Sequence, residues 1–196
     1  MTKRPNPADA ATATRSRGSL PTLSDRLVLL RPVEARDFPA IEAGTHDPDV
    51  IRWIGPQLPS AQDVVRQDEA YWAKGSPTLA ICELDGKFVG KVWVGVDETD
   101  PSTGFVGYWL LPAGRGRGLA TNAVRLISAW AVRELGVTNL RLRTAPDNER
   151  SQRVAERSGF RRVRPDEGPI AGCHRGWPAR LRARPSVAPP RCRGSS

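Results

Sequence analysis

Gly107-Tyr-Trp-Leu-Leu-Pro-Ala-Gly-Arg-Gly-Arg-Gly-Leu-Ala-Thr121 is the stretch on which the fold turns. It opens as an apolar strand, Pro112 and Gly114 close a turn, and glycines punctuate the entry to a long helix. The first turn of such a helix carries free N–H groups and the positive end of the macrodipole. Glycine lets a bulky polyanion approach that backbone closely. The stretch predicts an anion cradle, and a pyrophosphate is the anion it suits.

The elements on either side follow from pattern. Upstream, Arg26–Arg31 reads as a short strand, followed by a helix over about 34–44. A second helix begins at a capping box, Ser60 with Asp63, and runs to about Lys74. Strands Thr78–Leu84 and Lys87–Val96 are joined by Asp85-Gly86, a hairpin signal, and a strand over Gly104–Leu111 enters the glycine turn. Downstream, Ala120, Val124, Ile127, Ala131 and Leu135 share one face of a helix over about 118–135, which Gly136 stops. Asn139–Thr144 alternates as a strand with one buried face, and Pro146-Asp147-Asn148 opens a helix ending at Ser158 with Gly159 as its cap. The predicted order, βααβββαβα, is a mixed α/β domain.

Composition narrows the class. The chain has 196 residues and a formal net charge of +9, but the charge is unevenly placed. Residues 1–20 carry +3 and residues 161–196 carry +7, leaving the body at −1. Basicity confined to the tails argues against a nucleic-acid-binding fold. Cys82, Cys173 and Cys192 are odd in number and lack metal or disulfide spacing, and His46 and His174 stand alone. No apolar run reaches the length of a membrane span, and no signal peptide is visible, so a cytoplasmic protein is expected.

Two further motifs bear on chemistry. Asn148 with Ser151 opens the last helix, and taken alone Asn148 reads as an N-cap. Their place, just after the strand expected beside the glycine-turn strand, raises both. Arg150, Arg153 and Arg157 line one helix face, and Glu149, four residues before Arg153, makes a solvated ion-paired face the plainer account.

Together these residues resemble the GNAT superfamily of acetyl-CoA-dependent N-acetyltransferases, in particular the RimJ/RimL-like branch. The resemblance rests on Arg26-Leu-Val-Leu-Leu-Arg-Pro, Gly107-Tyr-Trp-Leu, Arg115-Gly-Arg-Gly-Leu-Ala-Thr, and Asn148-Glu-Arg-Ser151 with Gly159-Phe160, and covers about residues 22–163. It implies a mostly antiparallel central sheet flanked by helices, and transfer of acetyl to a primary amine by direct attack in a ternary complex. Under it, backbone N–H groups of Arg117, Gly118, Leu119 and Ala120 would hold the pyrophosphate of acetyl-CoA, with Arg115 and Gly116 shaping the turn. Backbone of Trp109, Leu110 and Leu111 would pair with the pantetheine amides. Asn148 would hydrogen-bond the same arm, and Ser151 would protonate the departing thiolate. The acceptor would be a protein N-terminus or a small amine, with neither membrane nor specific nucleic acid as a partner. Glu83, Asp97 and Glu98 are the candidate bases, each equally readable as a solvated carboxylate. Of the tryptophans, Trp53 and Trp72 fall in the helical segment that borders the acceptor site in this family, though core packing accounts for most of the six. A non-catalytic acyl-CoA-binding domain and an RNA- or ribosome-associated protein acting through its basic tails stay open.

The ends differ from the middle. Residues 1–20 read as a disordered leader and 21–163 as the domain. Residues 164–196, dominated by Arg, Pro, Gly, Ala and Ser, read as a disordered tail. Phe160–Val163 begins a terminal strand pair, and nothing after it has the pattern of a second strand, so the pair is expected to be incomplete.

Overall fold

The computed structural model describes residues 19–55 and 60–163, together with the backbone of 180–183. The leader expected over 1–20 and the tail expected over 164–196 lie almost entirely outside the described residues. The elements are β1 (Leu23–Ser24), β2 (Leu29–Arg31), α1 (Phe38–Thr45), α2 (Pro48–Ile54), α3 (Ala61–Ala73), β3 (Thr78–Cys82), β4 (Phe88–Val96) and β5 (Thr103–Leu110). They continue with α4 (Leu119–Trp130), β6 (Asn139–Arg143), α5 (Glu149–Arg157), β7 (Phe160–Val163) and β8 (Arg180–Ala183).

The strands form one sheet in the order β1-β2-β3-β4-β5-β6-β8-β7. Among the described residues only β5 and β6 pair parallel; α4 supplies the crossover between them. One face of the sheet packs Val92, Val94, Val106 and Leu110 against Ala123, Val124 and Ile127 of α4. The other packs Ala80, Phe88 and Trp109 against Ile41 of α1, Val50 of α2 and Val64 of α3. Both strand faces are therefore buried, and β3 is buried along its whole length.

Local chemistry explains the turns. Gly86 takes φ +88° in the hairpin between β3 and β4, where Glu83 N–H bonds Lys87 O at 2.9 Å. Ser60 Oγ accepts the Asp63 N–H at 3.2 Å and caps α3, as the capping box predicts. Beside β2, Arg31 and Asp37 form a buried bidentate pair at 2.7 and 2.9 Å, and Arg31 also donates to Gly86 O at 3.1 Å. Burial pushes the Asp37 carboxyl up, but the Arg31 guanidinium and the Glu34 N–H outweigh that and hold it below the usual range.

Three expectations need correction. The predicted helix over 34–44 begins as a 3-10 turn at Ala35–Asp37, and a separate helix, α2, follows it. Its signal was present: Asp47 accepts the Val50 N–H, and Pro48 fills the first helical position. Seven residues carry too few apolar positions for a clear helical period. The terminal strand pair is also not lacking its second member, because Arg180–Ala183 pairs antiparallel with both β6 and β7. Arg180-Leu-Arg-Ala183 does alternate polar and apolar, but four residues set among Arg, Pro and Gly are too short a pattern to stand out, so tertiary pairing identifies it.

Candidate active site

The site begins as a gap in the sheet. β5 pairs with β4 from Gly104 to Leu110, but with β6 only from Thr103 to Val106. Beyond Val106 the two parallel strands part, leaving the β6-side edge of Gly107–Leu110 open. An extended chain can add itself to such an edge through main-chain hydrogen bonds.

Register decides which residues face that wedge. Leu111 N–H bonds Val89 O at 2.8 Å, so in this antiparallel ladder Gly107, Trp109 and Leu111 turn their backbone groups toward β4. Tyr108 and Leu110 turn theirs toward the wedge. Of the three residues expected to pair with the pantetheine, geometry thus brings Leu110 to the open edge and adds Tyr108. Trp109 and Leu111 are turned away; the Trp109 ring packs on Phe88, with centroids 5.8 Å apart.

The glycine turn lies where the wedge ends. Pro112–Gly114 forms a 3-10 turn, and Gly116 and Gly118 follow with φ +76° and +80°. A Cβ on either glycine would meet nothing within 4 Å, so their surroundings are open and their left-handed backbone is what requires glycine. The first intrahelical bond of α4 runs from Asn122 N–H to Gly118 O, so the N–H groups of Gly118, Leu119, Ala120 and Thr121 lack a helix partner. An open, donor-rich helix start fits a pyrophosphate.

Side chains brace the turn. Arg115 donates from Nε to Leu110 O at 3.0 Å, and its guanidinium pairs with Asp49 at 2.8 Å and Asp47 at 2.6 Å. Arg117 makes a bidentate pair with Glu83, both contacts at 2.8 Å. Glu83 is therefore fixed at the outer rim of the cradle, its carboxyl held down by the Arg117 hydrogen bonds, and it does not meet the wedge. Asp97 accepts from the Thr99 N–H and hydroxyl, which stabilise its charged form at the turn after β4. Glu98 is exposed and 3.6 Å from Lys74. Asp97 and Glu98 line the cleft and Glu83 does not, but Asp97 is held in its charged form by its turn and Glu98 is exposed, so neither has the buried setting that makes a carboxylate a strong proton acceptor.

Across the wedge stands the start of α5. Asn148 Oδ1 accepts the Ser151 N–H at 3.0 Å, the capping role read from sequence, and its side-chain NH2 remains to donate elsewhere. The Tyr108 hydroxyl donates to Ser151 Oγ at 3.0 Å. Ser151 thereby keeps its own proton for another acceptor. Burial pushes the Tyr108 phenol up to about 12, against the opposing Ser151 bond, so it stays protonated at neutral pH. Sequence reasoning missed Tyr108 as a site residue; its position one residue before Trp109 was visible, its partner was not. Arg150 comes within 3.9 Å of Asp49, whereas Arg153 pairs with Glu149 at 3.1 Å as the helical spacing predicts. Trp53 lines the cleft with its ring under Arg52, while Trp72 packs against Trp130.

Wedge, cradle and the α2–α3 face open into one cleft of about 1640 Å³. The acetyltransferase (GNAT) domain family matches residues 27–161, and the chain belongs to that family. The family's description is of acetyltransferases, and neighbours of the same fold are solved with coenzyme A or acetyl-CoA bound. The chain is 41% identical over 58 residues to the probable N-acetyltransferase YjcK of Bacillus subtilis, a match spanning 30% of this chain and 32% of that one. Its structure resembles an acetyltransferase from Agrobacterium tumefaciens with a TM-score of 0.67 and 29% identity, over 86% of this chain and 95% of the other. RimJ of Mycobacterium smegmatis, solved with CoA-disulfide, shares the fold with a TM-score of 0.62 and 23% identity, over 83% and 84% of the two chains. Among the described residues no helix is long and apolar enough to cross a membrane.

Proposed function

We propose that this protein transfers acetyl from acetyl-CoA to a primary amine, a protein N-terminus or a small molecule, by direct attack in a ternary complex in the cytoplasm. The observation that carries this reading is the Tyr108–Ser151 hydrogen bond across the open edge of β5, at the end of the wedge that leads from the cradle. The backbone of Arg117, Gly118, Leu119 and Ala120 holds the pyrophosphate, on a turn set by Arg115 and Gly116. Leu110 and Tyr108 offer edge hydrogen bonds to the pantetheine, joined by the Asn148 side-chain amide.

Ser151 gives its proton to the departing sulfur and is resupplied from Tyr108, whose buried phenol holds a proton at any working pH. Positioning of amine and thioester side by side supplies much of the remaining acceleration. The bond geometry at Ser151 favours catalysis over mere cofactor storage, since storage needs no proton donor there. The RimJ likeness makes peptides a reasonable first acceptor set.

Calorimetric titration with acetyl-CoA tests the first half: a saturable heat is expected, and folded protein giving none refutes the assignment. Ser151→Ala tests the second. We expect kcat to fall about 100-fold, the low end for a lost general acid, with acetyl-CoA affinity retained. A variant as active as the parent removes Ser151 from the mechanism.

A further inference from the structure

On the face of the sheet opposite Ser151, β4 carries a buried cation. The Lys91 side chain is 5% exposed and meets the carboxylate of Asp68 on α3, itself 18% exposed. Taking both charges out of water costs several kcal/mol, and a well-packed apolar pair would avoid that cost. Net stability is a weak reason for such a pair.

Its position supplies another. Lys91 is the cross-strand partner of Trp109, beside the residues that border the wedge. Tyr108 and Trp109 point to opposite faces of β5, so Tyr108 with Ser151 serves one face and Lys91 with Asp68 the other. Asp68, Lys91 and Thr78 line the same cleft as Tyr108 and Ser151, with Trp53, Tyr71 and Trp93 around them. A thioester in the wedge would then have a proton donor on one side and a carboxylate on the other. An amine attacking a carbonyl needs that second group.

We propose that Asp68 is the acceptor-side carboxylate: it holds the incoming ammonium and takes one of its protons, with Lys91 as the residue that positions it. The proposal rests on the acetyl-transfer reading of the wedge. Asp68 accepts one proton from R–NH3+ and later returns it to solvent. The freed lone pair forms the C–N bond, the C–S bond breaks, and the sulfur takes the Ser151 proton. The second proton lost by nitrogen restores the Tyr108–Ser151 pair through solvent.

The surroundings of Asp68 agree. Burial raises its proton affinity, Lys91 and the Thr78 hydroxyl oppose that, Glu69 on its own helix adds to it, and the net direction is upward. Burial likewise lowers Lys91, against the pull of Asp68. A carboxylate raised from its ordinary range is a better proton acceptor near neutral pH than a solvated one.

The test compares two probes of similar shape. Benzylamine is an ammonium at neutral pH and must lose a proton before it can attack; phenylhydrazine is largely uncharged there and attacks as the free base, losing its one proton only during transfer. Each is assayed with acetyl-CoA on the parent protein, Asp68→Asn, and the double variant Asp68→Asn with Lys91→Met, which leaves no unpaired buried charge. Thermal melting and acetyl-CoA calorimetry accompany every protein. We expect kcat/KM for benzylamine to fall about 100-fold in both variants, with phenylhydrazine nearly unaffected and the acidic limb of the benzylamine pH profile lost. Equal losses on both probes in folded variants overturn the proposal, as does a parent protein that binds acetyl-CoA yet turns over neither amine. Absence of acetyl-CoA binding in the parent refutes instead the reading of the wedge.

Discussion

At Gly118 one residue joins backbone geometry to ligand access. Its φ of +80° lies where an L side chain is strained, and a Cβ there would touch nothing in the protein. Gly118→Ala should therefore cost about 1–2 kcal/mol of stability from backbone strain alone, read by urea unfolding. The added methyl would occupy the open side of the cradle, so acetyl-CoA affinity should fall at least about tenfold, equivalent to about 1.4 kcal/mol. Unchanged affinity would place the pyrophosphate elsewhere. Much at this scale was legible: the glycines announce the cradle, and Asn148 and Ser151 announce the start of α5. Tyr108 and Asp68 were not. Their partners lie 43 and 23 residues away in sequence, and no local pattern reports a hydrogen bond across such a gap.

Among the elements, α2 depends most on its surroundings. It is short, and its polar anchors belong to other elements: Arg115 reaches Asp47 and Asp49 from the cradle, and Arg52 reaches Asp147 before α5 at 3.0 Å. These pairs tie α2 to both walls of the cleft. Arg115 is 27% exposed at its side chain, so solvent screens part of each pair. Arg115→Gln should loosen α2 by about 1–2 kcal/mol, allowing for charged hydrogen bonds worth more than neutral ones but partly screened. Faster amide exchange over Val50–Ile54 with α4 unchanged is the expected result; uniform exchange across the chain would mean that α2 is held by its apolar contacts instead. High salt should move the parent protein in the same direction. By contrast α4 was plain in the sequence, because a twelve-residue helix against a buried sheet needs a continuous apolar stripe.

For the whole molecule, the revealing feature is the order of the last strands. β8 lies between β6 and β7, so the sheet beyond the wedge is closed by a strand remote from the recognisable domain. A chain ending at Val163 keeps the cradle and the Tyr108–Ser151 pair but loses the strand that satisfies two edges. Exposed edges promote pairing with other chains. The truncated protein should melt lower than the parent and elute with concentration-dependent size on gel filtration, while still giving heat with acetyl-CoA. Identical melting and elution would show that β8 contributes nothing to the fold in solution.

The sequence by itself determined the glycine turn, the meander feeding it, the long helix after it and the capped start of α5. Each of these is a local property, written in glycine conformations, capping residues and apolar periods within a few positions of one another. Tertiary structure alone decided the rest. It set the register that turns Tyr108 and Leu110, rather than Trp109 and Leu111, toward the wedge. It also brought Arg180–Ala183 between β6 and β7, and joined Lys91 to Asp68 in the lining of the cleft. Register, edge pairing and buried ion pairs link positions distant in sequence, and their energies exist only once the chain has closed upon itself.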